Sequence, residues 1–563
     1  MPHSADTISV YRRTQRRSLL ITLLIYWILV MGIWGVFAFD RGLPFETSFP
    51  VACQNSLHDC LNYPDELRPY NSLFLGLGYL LGFNNGSYVT YQLLYGFLWW
   101  GRGVLIYLIF RRLFPESSLF SFLLGALVIV HASDGALNWI GQLHQFGFIF
   151  LFILAVYFLL ESWLAQSPHR AITFLALSLP ALYISLWTYE SHFFLVASIP
   201  ILLFILRPKL NLRLIATTVI WYIIPAIYGW LQLQKYLISK VNNYQTSIVR
   251  PDLSLNTIFT DIQAHIWHSL QFWKWSNTLP AYSIGKLAPI IALLCVFTFI
   301  IGAYLLSPST GFFGLCLPSI QSLGICFGLG VLFLILSLPI YLLIAGNTTF
   351  WRTQMLPGLG AAICLGSGIC LLAKILPKKQ YQSLFVITAC AAIVFSGVRS
   401  GVLLQGFHEY RWQIHRSVMA QVAQLVPSIK DNTMILLTNM PKGYEKDPFG
   451  AAMWFDFPVQ LIYPRRKVVG YFIYENGESV TDNPWKFTAT GMEWQRKGMA
   501  QELDKVMYSQ IVALRYNSDG KISLLEQFPR DLLPQAFDTM SYNPLQRIKQ
   551  KFISERSIRM FAR

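Results

Sequence analysis

Long apolar segments recur along the first 404 residues of the chain, and they constrain its fold more than any other feature. A bilayer hydrocarbon core of about 30 Å needs roughly 20 apolar residues in a helix that crosses it. We predict eleven spans on this basis: Ser18–Phe39, Tyr88–Phe110, Leu119–Val130, Gly141–Leu160, Ile172–Leu186, Phe193–Leu206, Leu214–Leu231, Leu287–Leu306, Leu323–Ile344, Leu356–Leu376 and Leu384–Leu404. A twelfth segment, Ser72–Phe83, is too short to cross and is predicted as a helix near the membrane surface.

The composition supports this class of protein. Hydrophobic residues make up 54% of the 563 residues and charged residues 13%, whereas a soluble protein carries about 25% charged residues. A soluble globule, a disordered chain, a coiled coil and a fibrous repeat are therefore excluded. The net charge of +16 does not indicate nucleic-acid binding, because membrane proteins collect basic residues in their cytoplasmic loops.

The basic residues also predict an orientation. Four arginines between residues 12 and 17 precede the first span, and the basic loops at 111–112, 207–213 and 374–379 fall on the same side of the membrane. The positive-inside rule places the amino terminus in the cytoplasm and the tail from Gln405 outside. The first span is too long for a secretory signal and is interpreted as uncleaved.

The last 159 residues differ from the rest of the chain, because they mix charges of both signs and lack long apolar runs. We expect residues 1–404 to form a transmembrane domain and residues 405–563 a soluble extracytoplasmic α/β domain. The predicted elements of this tail are a helix over Glu409–Leu425, a strand over Thr433–Leu437, and a hairpin in which Gln510–Tyr516 and Lys521–Leu525 flank an Asp-Gly turn.

Two of the eight cysteines, Cys53 and Cys60, lie in the predicted first external loop. An oxidising compartment would allow a disulfide between them, and two free thiols are the alternative. The other six lie in or beside apolar spans, where cysteine is most simply a small core residue.

Three carboxylates stand where a span meets an external loop, at Asp40, Asp134 and Glu190. A charge at this depth is costly unless it is used or paired. Each acid by itself could cap a helix or pair with a neighbour such as Arg41 or His192. Because all three are predicted on the same outer face, they indicate a shared site.

Two external features accompany these acids. Arg352 opens the tenth span from outside, where a guanidinium suits a phosphate group or snorkels to the headgroups. The external loop Gln232–Lys286 is rich in aromatic residues, which favours an interfacial belt over a platform for sugars. His265 and His268 in this loop lack a complete metal ligand set and are left unassigned.

The order of these features resembles the polytopic GT-C glycosyltransferases, in particular the tetratricopeptide-containing transmembrane O-mannosyltransferases and their bacterial relatives. The matching stretches are Phe39-Asp40-Arg41, Leu67-Arg68-Pro69-Tyr70, His131–Ile140, Thr188-Tyr189-Glu190 and Trp351–Gly358. The resemblance covers about residues 18–400, and the tail lacks the tetratricopeptide repeats. Arg41 follows Asp40 where the family often has a second acid, Ala136 stands at an acidic position, and Tyr189 stands at a lysine position.

The resemblance implies an integral membrane glycosyltransferase with a polyprenyl-phosphate sugar as donor and a protein or glycan as acceptor. By position, Asp40 would be the general base and Arg352 would stabilise the departing lipid phosphate. Asp134 and Glu190 would orient the acceptor or hold a divalent cation, so metal use stays open. Arg68 and His131 would bind substrate.

Two other classes of function stay open at this point. Acids within the membrane also serve transporters and lipid flippases, in which they relay protons or bind ions. Ala136 is consistent with a third class, a catalytically inactive scaffold of GT-C type.

Overall fold

The computed structural model describes residues 5–35, 57–61, 68–81, 89–131, 143–206, 212–237, 254–306, 317–342, 353–443, 446–451, 453–464, 466–475, 477–478, 485–494, 503–529, 532–533, 541–548 and 561. Helices dominate this part of the chain. They are α1 (Ala5–Val30, continued by a π-helical turn at Met31–Gly35), α2 (Leu57–Leu61), α3 (Asn71–Leu81), α4 (Val89–Leu113), α5 (Ser118–Val130), α6 (Leu143–Leu164), α7 (Pro168–Thr188), α8 (Phe193–Leu206), α9 (Leu212–Leu237), α10 (Leu255–Leu270), α11 (Lys274–Thr278), α12 (Ala288–Leu306), α13 (Ile320–Leu336), α14 (Pro339–Leu342), α15 (Pro357–Ala373), α16 (Lys379–Leu425) and α17 (Met453–Ile462).

Eight of the described helical segments are long and apolar enough to cross a membrane, and three shorter apolar helices accompany them. The three shorter ones are α5, α8 with the turn that precedes it, and α15. Each of the eleven predicted spans coincides with one of these segments, which confirms the multi-pass helical fold. Helix α3 confirms the helix predicted over Ser72–Phe83. Helices α10 and α11 lie in the segment predicted as an external loop.

Aromatic side chains join the first helices through their polar tips. The Tyr26 hydroxyl donates to the Phe122 carbonyl at 2.6 Å, and the Trp99 indole donates to the Ile129 carbonyl at 2.9 Å. Trp100 donates to the Leu23 carbonyl at 3.0 Å. A buried indole or hydroxyl needs such a partner, so these bonds fix α1, α4 and α5 side by side.

Helix α16 extends from the last predicted span into the tail. It has 47 residues and is therefore about 70 Å long, more than twice the thickness of the hydrocarbon core. The span Leu384–Leu404 and the helix Glu409–Leu425, predicted separately, are one continuous helix that ends at Leu425 as expected. The intervening residues 405–408 contain no proline, so nothing removes a backbone hydrogen bond there. The proposed division at residue 404 stays a prediction, and α16 runs through it without a break.

The tail carries two sheets, which confirms an α/β character for this region. A four-stranded sheet has the order β2-β1-β6-β7 and a three-stranded antiparallel sheet the order β3-β4-β5. The strands are β1 (Thr433–Met440), β2 (Val468–Tyr474), β3 (Trp485–Thr488), β4 (Gly491–Trp494), β5 (Lys505–Met507), β6 (Ile511–Tyr516) and β7 (Ile522–Leu524). Strand β1 is parallel to both β2 and β6, and its almost continuous burial is typical of a central parallel strand.

The connections of this sheet follow from local sequence. Helix α17 lies between the parallel strands β1 and β2 in the chain and packs on β2, because parallel neighbours need a crossover connection. Strands β6 and β7 form the predicted hairpin. Its turn is closed by bonds from Asn517 N to Lys521 O at 2.8 Å and from Gly520 N to Asn517 O at 2.9 Å.

Three residues, which we call the junction, join α16 to the sheet. Arg411 of α16 is 3% exposed and donates to the carbonyl oxygens of Asp447 at 2.9 Å and Pro448 at 3.3 Å. The Asp447 carboxylate accepts from Phe449 N at 2.8 Å and from the Tyr474 hydroxyl at 2.9 Å. The junction, Arg411, Asp447 and Tyr474, thus ties the long helix to the ends of β1 and β2.

Cys60 is disulfide-bonded and fully buried. Free thiols were one of the two alternatives for this loop, and that alternative is wrong for Cys60. Cys53, its predicted partner, lies outside the described residues. Five cysteines predicted as small core residues are free and buried, namely Cys295, Cys326, Cys364, Cys370 and Cys390.

Candidate functional site

Two predicted site residues from distant parts of the sequence meet in an ion pair. Arg68 Nε donates to Glu190 Oε2 at 2.9 Å and Arg68 Nη2 donates to Glu190 Oε1 at 2.5 Å. The pair is bidentate, which is the strongest geometry for guanidinium and carboxylate. The side chains of Arg68 and Glu190 are 19% and 24% exposed. We call them the Arg68 pair.

Glu190 of the Arg68 pair lies on a turn between two spans, while Arg68 precedes α3. Helix α7 ends at Thr188, Tyr189 has extended backbone, and a single 3₁₀ turn covers Glu190–His192 before α8 begins. The Arg68 guanidinium lies 4.3 Å from the centre of the Tyr189 ring, close enough for a cation–π contact. Arg68 thus brings a positive charge next to Tyr189 from another segment of the chain.

A second set of polar residues surrounds His131, which follows the last residue of α5. The His131 Nε2 lies 2.8 Å from the Ser269 carbonyl oxygen, to which it donates. The Ser269 hydroxyl donates to Gln354 Oε1 at 2.5 Å, and Gln354 Nε2 lies 3.2 Å from His265 Nδ1. All four side chains are buried. We call His131, His265, Ser269 and Gln354 the His131 cluster.

Helix α14 connects the two groups of residues. It packs against the turn Glu190–His192, while the ring of its Tyr341 lies 6.4 Å from the ring of His265, nearly parallel to it. The Arg68 pair and the His131 cluster are therefore parts of one region of the molecule, formed by five separate segments of the chain.

The His131 cluster lies below the level at which the longer spans end. Helix α5 has 13 residues and is about 20 Å long, against about 30 Å of hydrocarbon. Its last carbonyl, of Val130, meets Gly397 so closely that a Cβ there would lie 2.1 Å away. The first residue of α5, Ser118, donates through its hydroxyl to the Leu306 carbonyl oxygen at the end of α12 at 3.4 Å, so the two helices start from the same level. Helix α12 has 19 residues, and α5 therefore ends about 9 Å before the other end of α12.

The other two short helices lead to the same region. Helix α8 has 14 residues and starts just after Glu190, and α15 has 17 residues and starts just after Gln354. Gly358 in the first turn of α15 contacts the His131 ring so closely that a Cβ would lie 2.5 Å from Nδ1. Irregular backbone at membrane depth is tolerated only where it is buried in protein or lines a hydrated cavity. The three short helices therefore mark a polar region within the membrane domain.

The structure brings together three of the six predicted site residues, Arg68, His131 and Glu190. Asp40, Asp134 and Arg352 lie outside the described residues. Both carboxylate oxygens of Glu190 bind Arg68, while the ring of its sequence neighbour His192 lies 2.6 Å from the Ser185 hydroxyl.

Sequence reasoning missed Ser269, Gln354 and a further buried acid, Asp261, in this region. Asp261 is 3% exposed and lies one turn before His265 on the buried side of α10. The signal that could have found them is the spacing of 261, 265 and 269, which places three polar side chains on one helix face.

The described residues do not fit a divalent cation. Among them there is no group of three or more His, Cys, Asp or Glu side chains that could hold a metal ion. Glu190, one of the predicted cation ligands, has both oxygens engaged by a guanidinium.

An apolar cavity of about 80 Å³ lies beside this region. Five helices line it, α4, α6, α8, α13 and α15, and every lining residue is hydrophobic. Near the His131 cluster its lining includes Leu359 of α15, which follows Gly358, the residue in contact with His131. The lining extends from there to Leu113 and Leu206, the last residues of α4 and α8. The cavity can hold a segment of hydrocarbon chain but no charged group.

Comparisons with protein-family models and with curated proteins give no match. Among solved structures, two of ArnT from Cupriavidus metallidurans are similar, one bound to undecaprenyl phosphate and one in the apo state. Each is 13% identical and covers 79% of this chain and 84% of that chain, with TM-scores of 0.33 and 0.34 respectively. Similarity of this size assigns neither a family nor an activity to the chain.

Proposed function

We propose that this protein is a membrane glycosyltransferase of GT-C type. It transfers a sugar from a polyprenyl-phosphate donor to a protein or glycan acceptor on the extracytoplasmic face. The observation that carries this function is the convergence of three short helices on one polar region within the membrane domain. A lipid-linked sugar needs such a place, because its head group is polar and its chain stays in the bilayer.

The chemistry follows from the residues expected at that region. The bond between the sugar C1 and the phosphate oxygen breaks, and a bond from the acceptor oxygen to C1 forms. The acceptor hydroxyl passes its proton to the Asp40 carboxylate. Arg352 binds the lipid phosphate, whose negative charge grows as it departs.

Asp134 and Arg352 are close in sequence to described members of the region. Asp134 follows His131 by three residues, and Arg352 precedes Gln354 by two. This proximity supports their placement beside the His131 cluster. In this arrangement His131 and Arg68 contact the donor head group, and Asp134 orients the acceptor.

Glu190 takes a role that differs from the sequence-based expectation. A carboxylate held through both oxygens by a guanidinium is a poor base and a poor cation ligand, because both lone-pair directions face a positive charge. We therefore assign Glu190 as a positioning residue, which fixes the Arg68 guanidinium toward the head group.

The apolar cavity suits the lipid part of the same donor. Its lining includes Leu359, the residue after Gly358, and has no polar side chain. Its volume of about 80 Å³ suits a short apolar segment of the donor chain, while the phosphate stays at the polar region.

Transfer by the purified full-length protein tests this function. Polyprenyl-phosphate sugars are supplied as donors, and transfer and donor binding are scored separately for the wild type and for Asp40→Asn. We expect Asp40→Asn to lower the transfer rate about 10²–10⁴-fold, with donor binding nearly intact, because asparagine keeps the size of the side chain and removes only the charge.

Asp65→Asn is the matched control, since it makes the same chemical change in the same predicted loop and is expected to stay active. Undiminished transfer by Asp40→Asn would exclude Asp40 as the base. A wild-type protein that neither binds nor consumes any such donor would contradict the proposed function as a whole and favour a transporter or a scaffold.

A further inference from the structure

Helix α10 buries polar side chains and exposes large apolar ones, which is the reverse of a helix on the surface of a soluble protein. Its buried residues are Asp261, His265 and Ser269, which are 3%, 4% and 0% exposed. Three of its large apolar residues are exposed, Leu255 at 75%, Phe259 at 69% and Trp267 at 59%, while Ile258, Ile262 and Ile266 are half-buried. Both sets repeat every four residues or a multiple of four, so each forms a stripe along one face.

Water does not explain this arrangement. Exposing large apolar side chains to water costs about 25 cal/mol per Å², while burying a carboxylate is expensive unless polar partners surround it. The arrangement is favourable when the outer face meets hydrocarbon and the inner face meets a polar interior.

The depth of α10 supports that reading independently. The carbonyl of Ser269, in the last turn of α10, is bound by His131 immediately after α5 ends. Helix α5 starts level with the end of α12 and ends about 9 Å before the other end of that 19-residue apolar helix. The carboxyl-terminal end of α10 is therefore level with the hydrocarbon region, although the segment is predicted from sequence as an external loop.

We propose that α10 is inserted in the bilayer leaflet on the side of the C-terminal domain. Leu255, Phe259 and Trp267 contact acyl chains, and Asp261, His265 and Ser269 face the polar region of the protein. Helix α10 then lies between this polar region and the lipid. Its carboxyl-terminal end is bound by His131. This inference concerns the bilayer as partner and does not depend on sugar transfer.

The test uses the full-length protein in lipid nanodiscs, with an environment-sensitive fluorophore attached to Phe259→Cys or Trp267→Cys. Quenching is measured with lipids that carry a nitroxide on the acyl chain and with iodide in the water. Leu294→Cys, in the span α12 and 62% exposed, is the reference for lipid contact. Ser518→Cys, exposed in the hairpin turn of the tail, is the reference for water.

We expect both α10 labels to be quenched by the nitroxide lipids as strongly as the Leu294→Cys label and only weakly by iodide. Iodide quenching equal to that at Ser518→Cys would place α10 in water and overturn the proposal. Protection from both quenchers would show that protein covers the apolar stripe, and that result would overturn it too. Two label positions keep the test valid if one variant fails to fold.

Discussion

The junction and the Arg68 pair are both built on an arginine from one segment and an acidic residue from another, yet their surroundings differ. At the junction, Arg411 is 3% exposed and binds backbone carbonyls, while the Asp447 carboxylate binds a backbone amide and a tyrosine hydroxyl. In the Arg68 pair the two charged groups bind each other directly and stay 19% and 24% exposed.

This difference separates a structural network from a candidate binding group. A buried network whose members bind backbone groups stabilises one arrangement of the chain, and its loss leaves unsatisfied polar atoms. A partly exposed pair gains less stability but is accessible to a ligand. We therefore expect substitutions at the junction to change folding and substitutions around the Arg68 pair to change activity.

The largest effect on activity outside the general base is expected at Arg352. If its guanidinium binds the lipid phosphate through two parallel hydrogen bonds, Arg352→Lys loses nearly as much as Arg352→Ala, because an ammonium is only a point charge. Both variants should slow transfer by about 10²–10³-fold with unchanged thermal unfolding. The transfer assay with purified protein checks this, and a fully active lysine variant would reduce Arg352 to an interfacial anchor.

A change at the junction should act on stability. Arg411→Ala removes the donor from two buried carbonyl oxygens, and we expect it to cost about 3 kcal/mol of folding free energy, seen as a lower unfolding temperature of the purified protein. Gln413→Ala, at an exposed position on the same helix, is the control and should be neutral. Transfer per folded molecule should stay at the wild-type level. Lost transfer at an unchanged unfolding temperature would instead make the junction part of the site.

A double-mutant cycle on the Arg68 pair should show a smaller, coupled effect. If Glu190 acts only by positioning Arg68, then Arg68→Ala together with Glu190→Gln is no slower than Arg68→Ala alone. The coupling free energy is expected at about 1–2 kcal/mol in transfer rate. Additive losses would mean that Glu190 contacts the acceptor or a cation by itself.

The parts of this molecule that could be predicted from sequence are those that depend on local pattern. Spans follow from apolar length, and the hairpin around Gly520 follows from its turn residues. The pairing of Arg68 with Glu190 joins residues 122 positions apart, and no local pattern encodes it. The sequence of α10 shows the spacing of its polar residues, but it does not show whether they face water or the protein. Polar residues in a loop are expected to face water, whereas here Asp261 and His265 face the protein.

The last prediction changes no activity and tests the side of the membrane on which both regions lie. The basic loops place the amino terminus in the cytoplasm. Because eleven spans is an odd number, the tail is then predicted outside. A membrane-impermeant maleimide should therefore label Ser518→Cys in intact cells. Gln166→Cys, exposed between α6 and α7, is predicted in the cytoplasm and should react only after permeabilisation. The reverse pattern would place the junction in the cytoplasm, where a transferase that acts on the outer face could not use the tail to select its acceptor.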